Sequence, residues 1–252
     1  MIQLVIDRGN SACKWAFFSL DEQQPDMTAE PLEVLTTLSG EMLPDNYFEQ
    51  YQPQAGIYSS VGPADEAFIA ALRERIPQFY VYALSMKMPI RNAYRTPQTL
   101  GLDRLAAAVG AWTLAPGKSS LIVDMGTAIT YDFMTSDGVY QGGNIAPGIW
   151  LRFKVLHQET AALPLVEARE DFPEMGVDTQ TAIRAGVMQG IWHELQGYLN
   201  QYRQIDENLT CFMTGGDISY FESRVKFPIF ARKNLVLIGL NRILYDHVHR
   251  SV

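Results

Sequence analysis

The sequence predicts an α/β protein of two similar lobes, each a mixed sheet flanked by helices. Three observations carry that prediction. Short apolar runs ending on a turn alternate along the chain with segments of helical spacing. Asp7-x-Gly9-Asn10-Ser11-Ala12 recurs as Asp124-x-Gly126-Thr127-Ala128-Ile129, an offset of 117 residues from position 7 to position 124, and a repeated unit constrains the architecture. The length of 252 residues, at about 150 per domain, allows one large domain or two lobes and no more. Pro116-Gly117 breaks a helical segment and supplies the boundary, giving lobes of residues 1–115 and 116–252.

In chain order, residues 2–6 (IQLVI) read as a buried strand running into the turn at Asp7, and Cys13–Leu20 as the second strand of a hairpin. Residues 21–31 are polar, carry two prolines and form a surface turn. AGIYSSV, residues 55–61, is a further buried strand. Asp65–Arg75 reads as a helix with Phe68, Ile69 and Leu72 on one face, stopped by Pro77. Residues 85–100 have no clean period and read as loop. From Gly101, LDRLAAAVGAWTL places Leu105, Ala108, Val109 and Trp112 at helical spacing. The second lobe opens with SLIVD at Ser120, then AITYDF, a turn at Ser136-Asp137-Gly138, and VYQGG. Residues 148–163 and 179–205 are helical in pattern. LTCFMTGGD, residues 209–217, is a strand breaking into a double-glycine loop, and a last helix runs from about Asn234, its expected cap, to Val248.

Composition removes several classes of function. Apolar residues make up 47% and charged residues 19%, a globular balance rather than a disordered one. With 20 Lys and Arg against 28 Asp and Glu the net charge is −8, which disfavours broad nucleic-acid binding. Cys13 and Cys211 make no disulfide framework and lack metal-ligand spacing. Apolar stretches such as Leu235–Leu240 fall far short of the ~20 residues that span a bilayer, and charges at Asp7 and Arg8 interrupt any signal-like run, so the expected compartment is the cytoplasm with no membrane partner. No P-loop, dinucleotide fingerprint, G-x-S-x-G elbow or zinc motif is present.

The residues that carry chemistry gather in four places. The two D-x-G turns are expected to face each other across a cleft, where Gly9 and Gly126 let backbone approach a ligand and Asn10, Ser11, Thr127 and the turn N–H groups donate to phosphate oxygens. Lys14 adds positive charge, while Asp7 and Asp124 offer hard oxygen to a cation. Asp-Gly turns also serve local hairpin geometry, so each turn alone says little. Gly215-Gly216, between Thr214 and Asp217, lets a flat ring or ribose lie against the chain, or makes an ordinary tight loop. Asp103 sits in the first turn of a helix, where the dipole favours its carboxylate, and Arg104 beside it offers a rigid fork for a carboxylate or phosphate. The bland reading of that pair is a helix-start acid bonded to its neighbour.

The order and content of these segments resemble the type III pantothenate kinases, of the acetate and sugar kinase/Hsp70/actin superfamily. The matching strings are DRGNSACK (7–14), SSV (59–61), YRTPQTLGLDRLAAAVGA (94–111), VDMGTA (123–128), GGNIAPG (142–148), DTQTAI (178–183, with Gly186 three residues on) and MTGGD (213–217). The Gly101-x-Asp103-Arg104 segment is the specific one. The resemblance implies ribonuclease H-like lobes and transfer of the ATP γ-phosphoryl group to the hydroxyl of pantothenate, the first step towards coenzyme A. It implies Asp103 as general base, and Tyr94, Gly101, Leu102, Asp103, Arg104 and Thr179 at pantothenate. ATP falls to Asp7, Arg8, Gly9, Asn10, Ser11, Ala12, Cys13, Lys14, Thr127, Gly215 and Gly216. Asp124 takes a monovalent cation, potassium or ammonium, beside the magnesium that comes with ATP, and the chain forms a homodimer with the pantothenate site near the subunit contact. Three positions depart from the usual pattern: Ser11 for Thr, Arg8 for an apolar residue, and Asn144 for a small or apolar one. The alternatives are another small-molecule kinase of the superfamily, which would lose the Gly101–Arg104 segment, and a non-catalytic accessory relative, which would show decay at Asp103, Asp124 or the turn glycines.

Overall fold

The computed structural model describes residues 1–10, 12–62, 65–222, 224 and 229–249. The chain divides into two compact units. One comprises residues 1–117, 138–140 and 234–252, the other 118–137 and 141–233.

In the first unit, β1 (Ile2–Arg8) and β2 (Ala12–Ser19) form an antiparallel hairpin, continued by β3 (Glu33–Leu38). After α1 (Asp45–Tyr51), β4 (Ala55–Ser60) runs parallel to β1; after α2 (Glu66–Arg75), β5 (Gln78–Val81) runs parallel to β4. The strand order is β3-β2-β1-β4-β5. Central β1 has Leu4, Val5 and Ile6 fully buried, as a strand covered on both faces must. Leu4 and Ile6 pack with Trp15, Phe17, Tyr58, Phe68 and Leu72. Asp65 caps α2, accepting from the Phe68 N–H at 3.1 Å, and Arg73 and Arg75 close its last turn. Arg91–Asn92 (β6) pairs with Val139–Tyr140. The catalytic candidate Asp103 enters on α3 (Leu102–Leu114).

The second unit repeats the plan. β7 (Ser120–Met125) and β8 (Ala128–Met134) form an antiparallel hairpin, followed by β9 (Val139–Pro147), α4 (Ile149–Gln158) and α5 (Thr179–Arg203). β10 (Thr210–Thr214) lies parallel to β7; past the short α6 (Ser219–Glu222), β11 (Ile229–Ala231) lies parallel to β10. The sheet has six strands in the order β6-β9-β8-β7-β10-β11, and its run β9-β8-β7-β10-β11 follows the same order as the first sheet, with the antiparallel hairpin and the two parallel strands after it in the same sense. Its core joins Val123, Ile129 and Tyr131 to Phe153, Met188, Ile191 and Leu195 of α4 and α5. The expected fold class, two ribonuclease H-like α/β lobes with mixed sheets, is the observed one.

Two features differ from the sequence reading. That reading assigns nothing to residues 32–54, yet they form β3 and α1. EVLTTL alternates half-buried and exposed residues at the edge of the sheet, a weak pattern for a strand. The sequence reading places the last helix, α7 (Leu235–His249), in a second lobe spanning 116–252. The helix groups instead with the first unit and packs along α3. Glycine inside a helix costs about 1 kcal/mol relative to alanine, and here close approach explains it. A Cβ on Gly239 would stand 1.8 Å from the Ala106 carbonyl oxygen, and one on Gly110 2.3 Å from that of Leu235.

Candidate active site

In the first unit the β1–β2 hairpin pairs Asp7 directly with Lys14 and Arg8 with Cys13, and the Gly9 N–H closes the turn on the Ala12 carbonyl at 2.9 Å. Burial pushes Asp7 up to about 6; the Lys14 ammonium opposes that rise and the Asp103 carboxylate adds to it. Asp7, Lys14 and Asp103 are therefore within electrostatic reach of one another. The buried Cys13 thiol is pushed up to about 12, chiefly by burial, which makes it packing rather than a nucleophile. Asn10 is exposed at the tip of the turn. Ser11 lies outside the described residues.

Asp103 turns back on its own helix, its Oδ1 accepting from the Arg104 N–H at 2.9 Å. This explains Gly101, where a Cβ would meet that same oxygen at 2.5 Å. Leu102 is half-buried beside it. Arg104 is buried, with its guanidinium 5.8 Å from the centre of the Tyr94 ring, and Tyr94 in turn lies 6.4 Å from the Tyr140 ring. Asp7, Lys14, Tyr94, Gly101, Leu102, Asp103 and Arg104 thus belong to one unit. Sequence reasoning missed a neighbour, Tyr82, a buried phenol pushed well above its usual range first by burial and then by the Asp103 charge. Its only signal is an aromatic residue after a strand.

The second unit holds the other turn. Asp124 pairs with Thr130, six residues on, whereas Asp7 pairs with Lys14, seven residues on, so the two echoing hairpins differ by one residue in length. The Gly126 N–H donates to Ala128 at 3.1 Å, and the Gly148 N–H at the start of α4 donates to Thr127 at 3.0 Å, which leaves Thr127 exposed. The double-glycine loop reaches this turn because β10 puts Thr214 beside Asp124. Gly215 has φ of +100° and lies so close to Met125 that a Cβ would stand 2.3 Å from its carbonyl oxygen, while the Asp217 N–H bonds that oxygen at 3.1 Å. A Cβ on Gly216 would meet nothing within 4 Å. Thr179 starts α5 behind the Asp178 cap and lines an apolar groove of about 860 Å³ with Leu151, Val155 and Ile183.

Among the described residues no group of three or more His, Cys, Asp or Glu side chains could hold a metal ion. A magnesium ion that arrives on ATP needs no such cage, since phosphate and water supply most of its oxygens. The Asp7 carboxylate fits that role, because burial penalises its charge until a cation offsets it.

That penalty makes a measurable prediction. The folded Asp7 holds its proton to about 6 whereas the ordinary value is 3.8. Between those values the folded state binds more protons, so stability falls as pH rises through the window and levels off above it. Asp7→Asn should stabilise the protein by about 3 kcal/mol near pH 8, and the gain should shrink towards zero by about pH 4. Urea midpoints at the two pH values check it, and a loss of stability near pH 8 would refute it.

Two α/β units, each with a mixed sheet that opens on an Asp-bearing hairpin turn, define the class of fold. The fold is similar to that of a chain from Campylobacter jejuni described as of the Baf family of transcriptional activators, with TM-score 0.61 and 22% identity over 96% of this chain and 98% of that one. It is also similar to an activator of 2-hydroxyisocaproyl-CoA dehydratase from Clostridium difficile with bound ADPNP, with TM-score 0.54 and 11% identity over 100% and 97% of the two chains. These likenesses concern the fold alone. The chain belongs to the type III pantothenate kinase family, whose model matches residues 3–201. A type III pantothenate kinase from Azobacteroides pseudotrichonymphae genomovar. CFP2 is 43% identical over 245 residues, 96% of this chain and 95% of the relative.

Proposed function

We propose that the protein is an ATP-dependent pantothenate kinase, transferring the γ-phosphoryl group of ATP to the hydroxyl of pantothenate to give 4'-phosphopantothenate, the opening step of coenzyme A synthesis. Family membership supplies the substrate. The observation that carries the chemistry is a carboxylate at a helix start, Asp103, in electrostatic reach of the Asp7–Lys14 turn.

In this reading Asp103 takes the proton of the pantothenate hydroxyl as its oxygen bonds to phosphorus and the bond from phosphorus to the ADP oxygen breaks. Arg104, with Tyr94 under its guanidinium, holds the pantothenate carboxylate; Gly101, Leu102 and Thr179 complete that subsite. Turn residues 7–14, with the Lys14 ammonium, receive ATP phosphates, as do Thr127 and the Gly215-Gly216 loop. A preorganised set of N–H donors and one ammonium offsets charge that builds on the transferring group. Magnesium supplies further charge neutralisation at the phosphates when bound, and Asp124 holds potassium or ammonium. The active form is a homodimer working in the cytoplasm on ATP and pantothenate, without nucleic acid or membrane. Support for the dimer comes from the apolar groove carrying Thr179, where Leu151 and Val155 are exposed; among the described residues no helix is long and apolar enough to cross a membrane.

A coupled ADP-release assay tests the reading. Magnesium-ATP turnover should depend on pantothenate and fall sharply when sodium replaces potassium or ammonium. No turnover with pantothenate sinks the function; equal rates in sodium and potassium sink only the cation site.

A further inference from the structure

Arg8 stands beside the phosphate turn, yet the Nε and Nη1 of its guanidinium are engaged on other groups. Nε donates to the Ser39 hydroxyl at 3.2 Å; Nη1 donates to Asp65 Oδ2 at 3.0 Å and to the Tyr58 hydroxyl at 3.3 Å. The group lies 5.3 Å from the Phe68 ring centre, and it fits beneath Gly40, where a Cβ would stand 3.0 Å from Nη2. A planar fork can hold Ser39 and the carboxylate together, which an ammonium cannot.

Ser39 passes the constraint on. Its Oγ, accepting from Arg8, donates to the Gly9 carbonyl at 2.9 Å. In a planar trans peptide the carbonyl of one residue and the N–H of the next point in opposite directions. Fixing the Gly9 carbonyl on Ser39 therefore aims the Asn10 N–H away from Ser39, off the outer side of the turn. Gly9 is the residue best able to swing this peptide, so an external tether has something to restrain.

We propose that Arg8 is a positioning residue for nucleotide: through the Ser39 hydroxyl it holds the Gly9–Asn10 peptide with its N–H presented to a phosphate oxygen, and its guanidinium makes no phosphate contact. The proposal rests on the reading of this turn as a nucleotide-phosphate site. It explains how a charged residue is accommodated beside the turn, because Asp65, already needed as the α2 cap, neutralises it.

The test uses Arg8→Met, Ser39→Ala and the double variant. Magnesium-ADP affinity is read by calorimetry, and initial rates are read against magnesium-ATP and against pantothenate. Each single change should weaken nucleotide binding and raise the KM for ATP about tenfold, the scale expected when a donor is misaimed rather than removed. The KM for pantothenate should stay within about twofold, and the double variant should be no worse than the worse single. Arg8→Lys should recover only part of the loss. A direct phosphate contact predicts instead that Arg8→Met loses affinity while Ser39→Ala does not, and that outcome overturns the proposal. So does unchanged nucleotide binding in Arg8→Met, or a drop in urea midpoint with the KM for ATP unmoved. Failure of the wild type to phosphorylate pantothenate overturns the kinase reading, and the magnesium-ADP comparison still decides Arg8. Absence of magnesium-ADP binding to the wild type overturns both.

Discussion

Replacing Asp103 with Asn is expected to lower kcat by about 10²–10⁴, the usual worth of a positioned proton acceptor, while magnesium-ADP affinity changes little. The isostere keeps the local fold, since its carbonyl oxygen can accept from the Arg104 N–H as Oδ1 does now, and Gly101 still leaves room for it. What is lost is basicity alone. The pantothenate hydroxyl is then left without a group to take its proton while the bond to phosphorus forms. Steady-state kinetics with calorimetry of nucleotide binding check this. If Asp103→Asn retains more than about a tenth of wild-type turnover, another group accepts the proton.

Gly239→Ala is expected to be the most damaging single-methyl change in the first unit. Its Cβ would fall 1.8 Å from the Ala106 carbonyl oxygen and 2.9 Å from the Gly110 nitrogen. Both obstacles are backbone, so no rotamer relieves them and α7 must separate from α3. The expected loss is about 3 kcal/mol, the upper part of the range for overpacking a core, read from urea denaturation. Gly197→Ala on the exposed face of α5 is the control. A Cβ there meets nothing within 4 Å, so alanine should add up to about 1 kcal/mol of stability through helix propensity. Equal effects at the two glycines would show that contact between α3 and α7 is not what the glycine serves.

The parts of the fold legible in the sequence are those set by neighbours in the chain. A strand ending on Asp and Gly and re-entering a second strand is local, and both hairpins are found where the D-x-G echo puts them. The helix start at Gly101–Arg104 is legible for the same reason. What stayed hidden depends on partners far along the chain. The bonds of Arg8 to Ser39 and Asp65 join residues 31 and 57 positions apart, so the sequence shows only a charge beside a turn. The one-residue difference between the hairpins is invisible too, because strand register is decided by pairing rather than by spelling. α7 reads as a generic apolar helix; its glycine acquires meaning only against α3.

The return of α7 to the first unit also sets a timetable for synthesis. The last residue of α3 is 114 and the first of α7 is 235, with the whole second unit encoded between them. At a ribosomal rate of about 5–20 residues per second, α3 waits roughly 6–24 s for its partner. Its small apolar stripe is uncovered for that interval, and the second unit is free to fold first. Exposed apolar surface of that kind is what makes a half-synthesised domain prone to aggregate.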